Sequence, residues 1–156
     1  MAEISPRIVA GERRLTMHLM GHWQELRDGR RAPLMRVFKT AFPPDLLTDC
    51  FTLLPAKTPG ESRLHDIGER IARLSRIEAT SLTLSEVPGD TLIGVASKWL
   101  DRTMELCTPV VDEGEFEDQH GTRYLYRATL LPLENEQGEI IQVLGGARCK
   151  VSAGDS

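Results

Sequence analysis

The sequence predicts an α+β domain, and three observations carry that prediction. Between Thr91 and Cys107, the residues Leu92, Val95, Ala96, Trp99, Leu100, Leu106 and Cys107 recur on one helical face. After Pro109 the texture changes to three extended segments, Val110–Glu117, Arg123–Leu133 and Glu139–Lys150, separated by DQHG and ENEQG. Near the start, Leu15, Leu19, Trp23 and Leu26 form one apolar stripe, which adds an N-terminal amphipathic helix over Glu12–Asp28.

Each element has a local reason. The first helix ends where Arg27 is followed by Gly29, a C-terminal stop, and Pro33, Pro43 and Pro44 then interrupt regular structure. A short helical turn can begin at Pro44, because the missing amide of proline costs nothing at a first helical position. Cys50–Leu54 is a short apolar run before Pro55 and reads as a strand. KTPGES, Lys57–Ser62, is a turn-rich connector. In RLHDIGERIARLSRI, Leu64, Ile67, Ile71 and Leu74 fit a single helix, but a strand over Arg63–Ile67 with a short helix after Gly68 fits equally well. Asp90 is placed to cap the next helix, Pro109 closes it, and Trp99 reads as its core anchor.

In the second extended segment, Arg123, Leu125, Arg127 and Thr129 alternate with Tyr124, Tyr126, Ala128 and Leu130, as a half-buried strand requires. The polar gap Glu134–Gly138 then fits a hairpin loop with glycine near its end. The acidic run DEGEFED, Asp112–Asp118, reads as an edge strand that charge protects from pairing with other sheets.

Composition bounds the function. The chain has 156 residues, 40% of them apolar and 27% charged, enough for one domain with a real core. A net charge of −4 argues against nucleic acid, and the one basic cluster, RDGRR at Arg27–Arg31, reads as a solvated helix end. No apolar stretch approaches the ~20 residues that cross a bilayer, and the N-terminus lacks a secretory h-region, so no membrane partner is expected. Cys50, Cys107 and Cys149 are odd in number and far apart, which fits buried free thiols in a reducing cytoplasm.

The order of elements resembles a PAS domain, the sensory α/β superfamily in which a five-stranded antiparallel sheet carries helices on one face. The segment LLPLENEQGEIIQVLGGA is similar to the last hairpin of that superfamily. A narrower resemblance covers nearly the whole chain. HWQELRDGRRAP at His22–Pro33 has the W-x2-LR-x-GR-x2-P opening of a bacterial PAS family common in alphaproteobacteria, RLHDIG matches its strand ending at glycine, and ATSLTLSEVPGD at Ala79–Asp90 resembles its linker to the long helix. This resemblance tips Arg63–Ile67 toward strand. It implies a flexible N-terminus over 1–11, a helix over 12–32, a PAS-like domain over 33–150 and a tail over 151–156.

The resemblance implies sensing or protein interaction, not catalysis, and the motifs of the known cofactor variants give no reason to expect a cofactor. A flavin photosensor of the superfamily needs an Asn-Cys-Arg-Phe-Leu type of motif, which is missing, and a haem member often carries a His on the long helix, where Thr91–Pro109 has none. His18 and His22 stand at metal-binding i,i+4 spacing but lack an acidic partner between them, so a surface pair is expected. His120 reads as a turn residue. Two readings stay open for His65, Trp99, Met104 and Tyr126: they close-pack as core, or they line a small-ligand pocket between the long helix and the sheet. The stripe Leu15, Leu19, Trp23 and Leu26 either packs on the chain's own sheet or offers a homodimer or partner surface, and the helix-free sheet face offers a second route to a partner. The resulting reading is a stand-alone cytoplasmic sensor or adaptor whose partner is a signalling protein. The alternative is a small enzyme on a cone-like α+β fold acting on a small carbonyl compound, with His65 or Asp66 as its acid or base.

Overall fold

A computed structural model describes residues 11–41, 44–77 and 82–152. Both chain termini assigned to flexible segments fall largely outside these residues, as do Pro43 and the start of the linker at Ala79. The chain opens with helix α1 (Gly11–Arg27), then α2 (Met35–Ala41) and a 3₁₀ turn at Pro44–Asp49. Strands β1 (Cys50–Leu54) and β2 (Arg63–His65) precede α3 (Glu69–Leu74) and the two-residue β3 (Leu82–Thr83). Helices α4 (Leu92–Ala96) and α5 (Leu100–Leu106) lead into β4 (Val110–Glu117), β5 (Arg123–Glu134) and β6 (Ile140–Val151).

The strands form one antiparallel sheet in the order β3-β2-β1-β6-β5-β4. Five of the six strands are the expected ones; the sixth, β3, adds a two-residue edge beside β2. The acidic β4 lies at the opposite edge, as its charge pattern predicts. The ambiguous segment resolves as strand, turn and helix. β2 ends at His65, Asp66 turns the chain at φ 50, and α3 starts after Gly68.

The helices after β2 lie on one face of the sheet as expected, but the opposite face is not helix-free. Side chains alternate across a strand, and both sets are buried here. Phe51, Leu53, Leu64, Tyr126, Leu130 and Val143 point to a core roofed by α3, α4 and α5. Cys50, Leu131, Leu133 and Leu144 point the other way, to a second core closed by α1 and α2. The face expected to be helix-free is therefore covered along β5 and β6 by α1.

That second core uses the N-terminal stripe. Leu15, Leu19 and Trp23 are at most 1% exposed, and Leu26 packs against the same cluster. The stripe offered as a partner surface is thus covered by the chain's own sheet, where each fully buried large side chain contributes about 1.5–3 kcal/mol. Trp23 Nε1 also donates to the Pro132 carbonyl at 2.8 Å, satisfying the one polar atom of its ring.

The expected single helix over Thr91–Cys107 is two short ones. α4 runs only to Ala96, a turn at Ser97–Trp99 follows, and α5 resumes at Leu100. Its cap is Thr91, whose Oγ1 accepts from Gly94 N at 3.1 Å, while Asp90 instead pairs with Arg76 at 3.0 Å. Trp99, at the break, is 42% exposed and is no core anchor.

Two adjacent glycines let both cores press on the sheet. A Cβ on Gly145 would run into the Phe51 ring, and a Cβ on Gly146 would run into Leu19 on the opposite face. The strand is thin where the two layers approach most closely.

The basic cluster is not merely solvated. Glu134, at the end of β5, is 4% exposed, and its two carboxylate oxygens meet Arg30 at 3.2 Å and Arg31 at 3.3 Å. Arg31 also donates to the Gly138 carbonyl at 2.7 Å, and Glu134 N donates to the Pro33 carbonyl at 2.9 Å. The segment after α1 therefore grips the β5–β6 hairpin. In the hairpin, Asn135 Oδ1 accepts from Gln137 N and Glu139 N, both at 3.0 Å, and Gly138 adopts φ +80.

Two outcomes are expected from urea denaturation. Gly145→Val costs about 1–3 kcal/mol or more, because the new side chain must displace Phe51. Replacing both Arg30 and Arg31 with Ala costs about 3 kcal/mol and more than Glu134→Gln does, because it strands a buried carboxylate whereas the reverse change leaves two partly exposed cations.

Candidate functional site

The residues expected to line one pocket do not converge. Tyr126 is buried in the core under α4 and α5, its ring tilted against Phe116 at 5.9 Å and its hydroxyl donating to Asp112 at 2.6 Å. Met104 packs partly buried against that same core. Trp99 faces outward beside Lys98, whose ammonium sits 5.7 Å from its ring centre. His65 lies on β2 with its neighbour Leu64 turned to the Tyr126 core, so its own side chain belongs to the opposite face. There its Nδ1 stands 3.2 Å from Asp66.

On that opposite face is a cavity of about 340 Å³. It is bounded by α2, the 3₁₀ turn, β1, the turn after β2 and the middle of β6. Its interior is apolar: Phe38, Leu47, Ile67 and Leu144, with the Cys50 thiol and the Thr52 side chain beneath. Its mouth is charged, for Lys39 and Asp66 both line it and lie 3.3 Å apart. Sequence reasoning found His65 near this rim but not the cavity itself, which draws on segments far apart in the chain.

The local folding explains the shape. Asp66 in the left-handed region turns the chain sharply, a conformation that a short polar side chain tolerates. Gly68 N then donates to the Cys50 carbonyl at 2.8 Å, tying the turn to the end of β1. A Cβ at Gly68 would collide with the Leu47 and Thr48 carbonyls, so only glycine lets the turn sit this close.

The Cys50 thiol is not a nucleophile. Burial pushes it up to about 12, and the neighbouring Asp49 carboxylate adds to the effect while Arg148 offsets part of it. Its Sγ donates to the Leu46 carbonyl at 3.2 Å. Asp49 is itself buried and accepts from Arg148 Nε at 2.9 Å and Arg70 at 3.4 Å. Tyr126 is likewise held above its usual range, first by burial and then by its bond to Asp112. Both groups are locked in their neutral forms by the packed interior.

Of the other singled-out residues, His18 is exposed, and His22, His120 and Cys107 have structural partners. His22 Nε2 lies 2.9 Å from the Ala41 carbonyl and its ring meets Phe38 edge-on. His120 sits in the β4–β5 turn, where Asp118 Oδ1 accepts from His120 N and Thr122 N. Cys107 ends α5 at φ 53 and its thiol donates to Met104. Cys50, Cys107 and Cys149 are free thiols. Among the described residues no group of three His, Cys, Asp or Glu side chains is arranged to hold a metal, and no helix is long and apolar enough to cross a membrane.

Residues 12–147 match the family profile described as a PAS domain, most of the chain and all six strands up to the middle of β6. The chain belongs to the PAS domain family. Members of this family are sensory and signalling domains. The PAS assignment displaces the cone-like alternative as a fold. Among solved structures, the PAS domain of the fruit-fly ELK potassium channel aligns at 12% identity and a TM-score of 0.49, covering 73% of this chain and 94% of that one. The PAS domain of a protein from Colwellia psychrerythraea aligns at 14% identity and a TM-score of 0.45, covering 72% and 95%. A PAS domain from a two-component sensor histidine kinase aligns at 15% identity and a TM-score of 0.43, covering 74% and 97%. No curated protein matches.

The neutral Cys50 and Tyr126 make the PAS domain sensitive to alkali, and the sign follows from proton uptake. An unfolded thiol ionises near 9.0 while the folded one holds its proton to about 12. Between those values the folded chain binds more protons, so stability falls as pH rises. Tyr126, raised above 10.0, acts in the same direction. Thermal melts from pH 8 to pH 11 should show the midpoint dropping, and Cys50→Ala should flatten the part of that drop that begins near pH 9.0.

Proposed function

We propose that this chain is a sensor and adaptor of the cytoplasm that works by binding and signals through a protein partner, with a second copy of itself as the first partner to test. The observation that carries this reading is family membership over residues 12–147. The W-x2-LR-x-GR-x2-P opening, Trp23–Pro33, supports a place in the bacterial sub-family with that signature, and three of its residues, Trp23, Arg30 and Pro33, bond to the β5–β6 hairpin.

The stripe on α1 is spent inside the fold, so a partner must be met elsewhere. Trp99 and Leu106 are 42% and 47% exposed on the α5 side, and Lys98 lies against Trp99. They stand seven positions apart, nearly two helical turns, which brings them to one side of the element. Aromatic and aliphatic side chains left in water at such a ridge favour association.

A chemical role for His65 and Asp66 is a weaker reading. Both side chains are well exposed and joined to each other, whereas a tuned acid or base needs an enclosed apolar setting.

Size-exclusion chromatography with light scattering tests the self-association. The wild type should run as a dimer, and a Trp99→Ala, Leu106→Ser double variant as a monomer. Because about half of each side chain is covered, the double variant loses some stability, and its melt is recorded beside the light scattering so that a folded monomer is told from an unfolded chain. A wild type that stays monomeric over the accessible concentration range would overturn the homodimer.

A further inference from the structure

We propose that the cavity beneath α2 binds a small organic anion with an apolar body, its carboxylate held by Lys39 at the mouth. The inference deepens the sensor reading by naming a ligand class, and it places the site on the sheet face opposite α4 and α5.

Size and lining define the body of the ligand. A cavity of about 340 Å³ lies at the low end of ligand pockets, so it suits a compact molecule rather than a nucleotide or a long lipid. Phe38, Leu47, Ile67 and Leu144 offer only apolar contact, and the thiol at the base stays protonated. A charged group placed deep inside would lose its water and find no partner there, which strongly disfavours that orientation. The Thr52 hydroxyl is the one neutral polar group in the wall besides the thiol and the backbone. A ligand must therefore enter with its apolar end first and leave its polar end at the mouth.

Charge at the mouth defines that polar end. Asp66 Oδ2 already meets two nitrogens, Lys39 Nζ at 3.3 Å and His65 Nδ1 at 3.2 Å. A carboxylate has two oxygens and about four lone-pair sites, so Asp66 does not shut out an ammonium, and that class has to be tested directly. Lys39 gives an anion its own handle, because an ammonium carries three donors and Asp66 takes one of them. The side chain is on α2, exposed enough to swing over the opening without leaving Asp66. Behind the wall, Arg70 and Arg148 both converge on Asp49, so that buried carboxylate is already matched in charge and adds no repulsion to an anion at the mouth. A carboxylate completes this arrangement, and hydrogen bonds between two charged groups are about twice as strong as neutral ones.

Three probes with one body separate the possibilities: phenylacetate, phenylacetamide and phenethylamine. Each is titrated into ¹⁵N-labelled full-length protein, following the amides of Phe38, Thr52, Ile67 and Leu144. Phenylacetate should shift these amides and bind about tenfold more tightly than phenethylamine. In Lys39→Met, which alters an exposed side chain and should melt like the wild type, phenylacetate should fall to the affinity of phenylacetamide, while phenylacetamide itself is unchanged. Equal affinity of the three probes, or tightest binding of phenethylamine, overturns the anionic class. Shifts confined to residues around Tyr126 and Met104, or no shifts with any probe at millimolar concentration, overturn the site. None of these results bears on the light-scattering measurement, so failure of the ligand and failure of the partner reading remain distinct.

Discussion

The buried carboxylate of Glu134 is the point on which the two layers of this PAS domain depend. It closes the last strand pair at the end of β5, and it is the anchor for a segment about a hundred residues earlier in the chain. A carboxylate at this depth is tolerated only with its charge matched and its oxygens bonded. Arg30 and Arg31 do both. Around them, Leu34 bridges Glu134 in parallel, Pro33 accepts from its amide, and Trp23 donates to Pro132 one residue before Leu133. These bonds fix the exit of α1 against the sheet, and the apolar stripe of α1 follows from that fixed exit. Without the anchor, the helix would have to find its register on β5 and β6 through apolar contact alone, which has little directional preference.

A sheet with two roofs imposes a second constraint, that every central strand must be apolar on both sides. β6 meets it with Val143 on one face, Leu144 on the other, and then two glycines where the roofs come closest. The cavity lies where this second roof is thinnest. α1 covers β5 and β6, α2 and the 3₁₀ turn cover less of β1, and the gap between them is the pocket. Its charged rim comes from the one sharp turn that the shorter strands require, at Asp66.

Much of this was legible in the sequence where local pattern and local structure coincide. Alternation in β4, β5 and β6 located the strands within a residue or so, and the Glu134–Gly138 gap located the hairpin, because hairpin residues are chosen by neighbours close in the chain. The helix over Thr91–Cys107 was misread for a physical reason. Leu92, Ala96 and Leu100 face the core across the break exactly as they would along one helix, so periodicity does not register the turn at Ser97–Trp99. The segment from Leu64 to Leu74 misleads similarly. Leu64 on a strand and Ile71 on a helix reach the same core from different elements, and only the exposed Leu74 betrays the false stripe. The burial of Glu134 had no local signal, since ENEQG reads as surface turn. The cavity had none either, because Phe38, Leu47, Cys50, Ile67 and Leu144 meet only after the chain has folded.

The middle of the sheet joins an early strand to the last one: Cys50 pairs with Gly146, and Leu53 with Val143. Until β6 exists, β1 and β2 form a short ribbon whose inner edge is open, and β4 and β5 form another. The sheet is therefore not continuous without β6, because that strand alone pairs with both β1 and β5. Folding of such a topology is dominated by long-range pairing, which is slow and leaves strand edges exposed to misassociation during synthesis. The charged side chains along β4 and the bulk of α1, already made and waiting, are then guards of the nascent state as much as parts of the finished one.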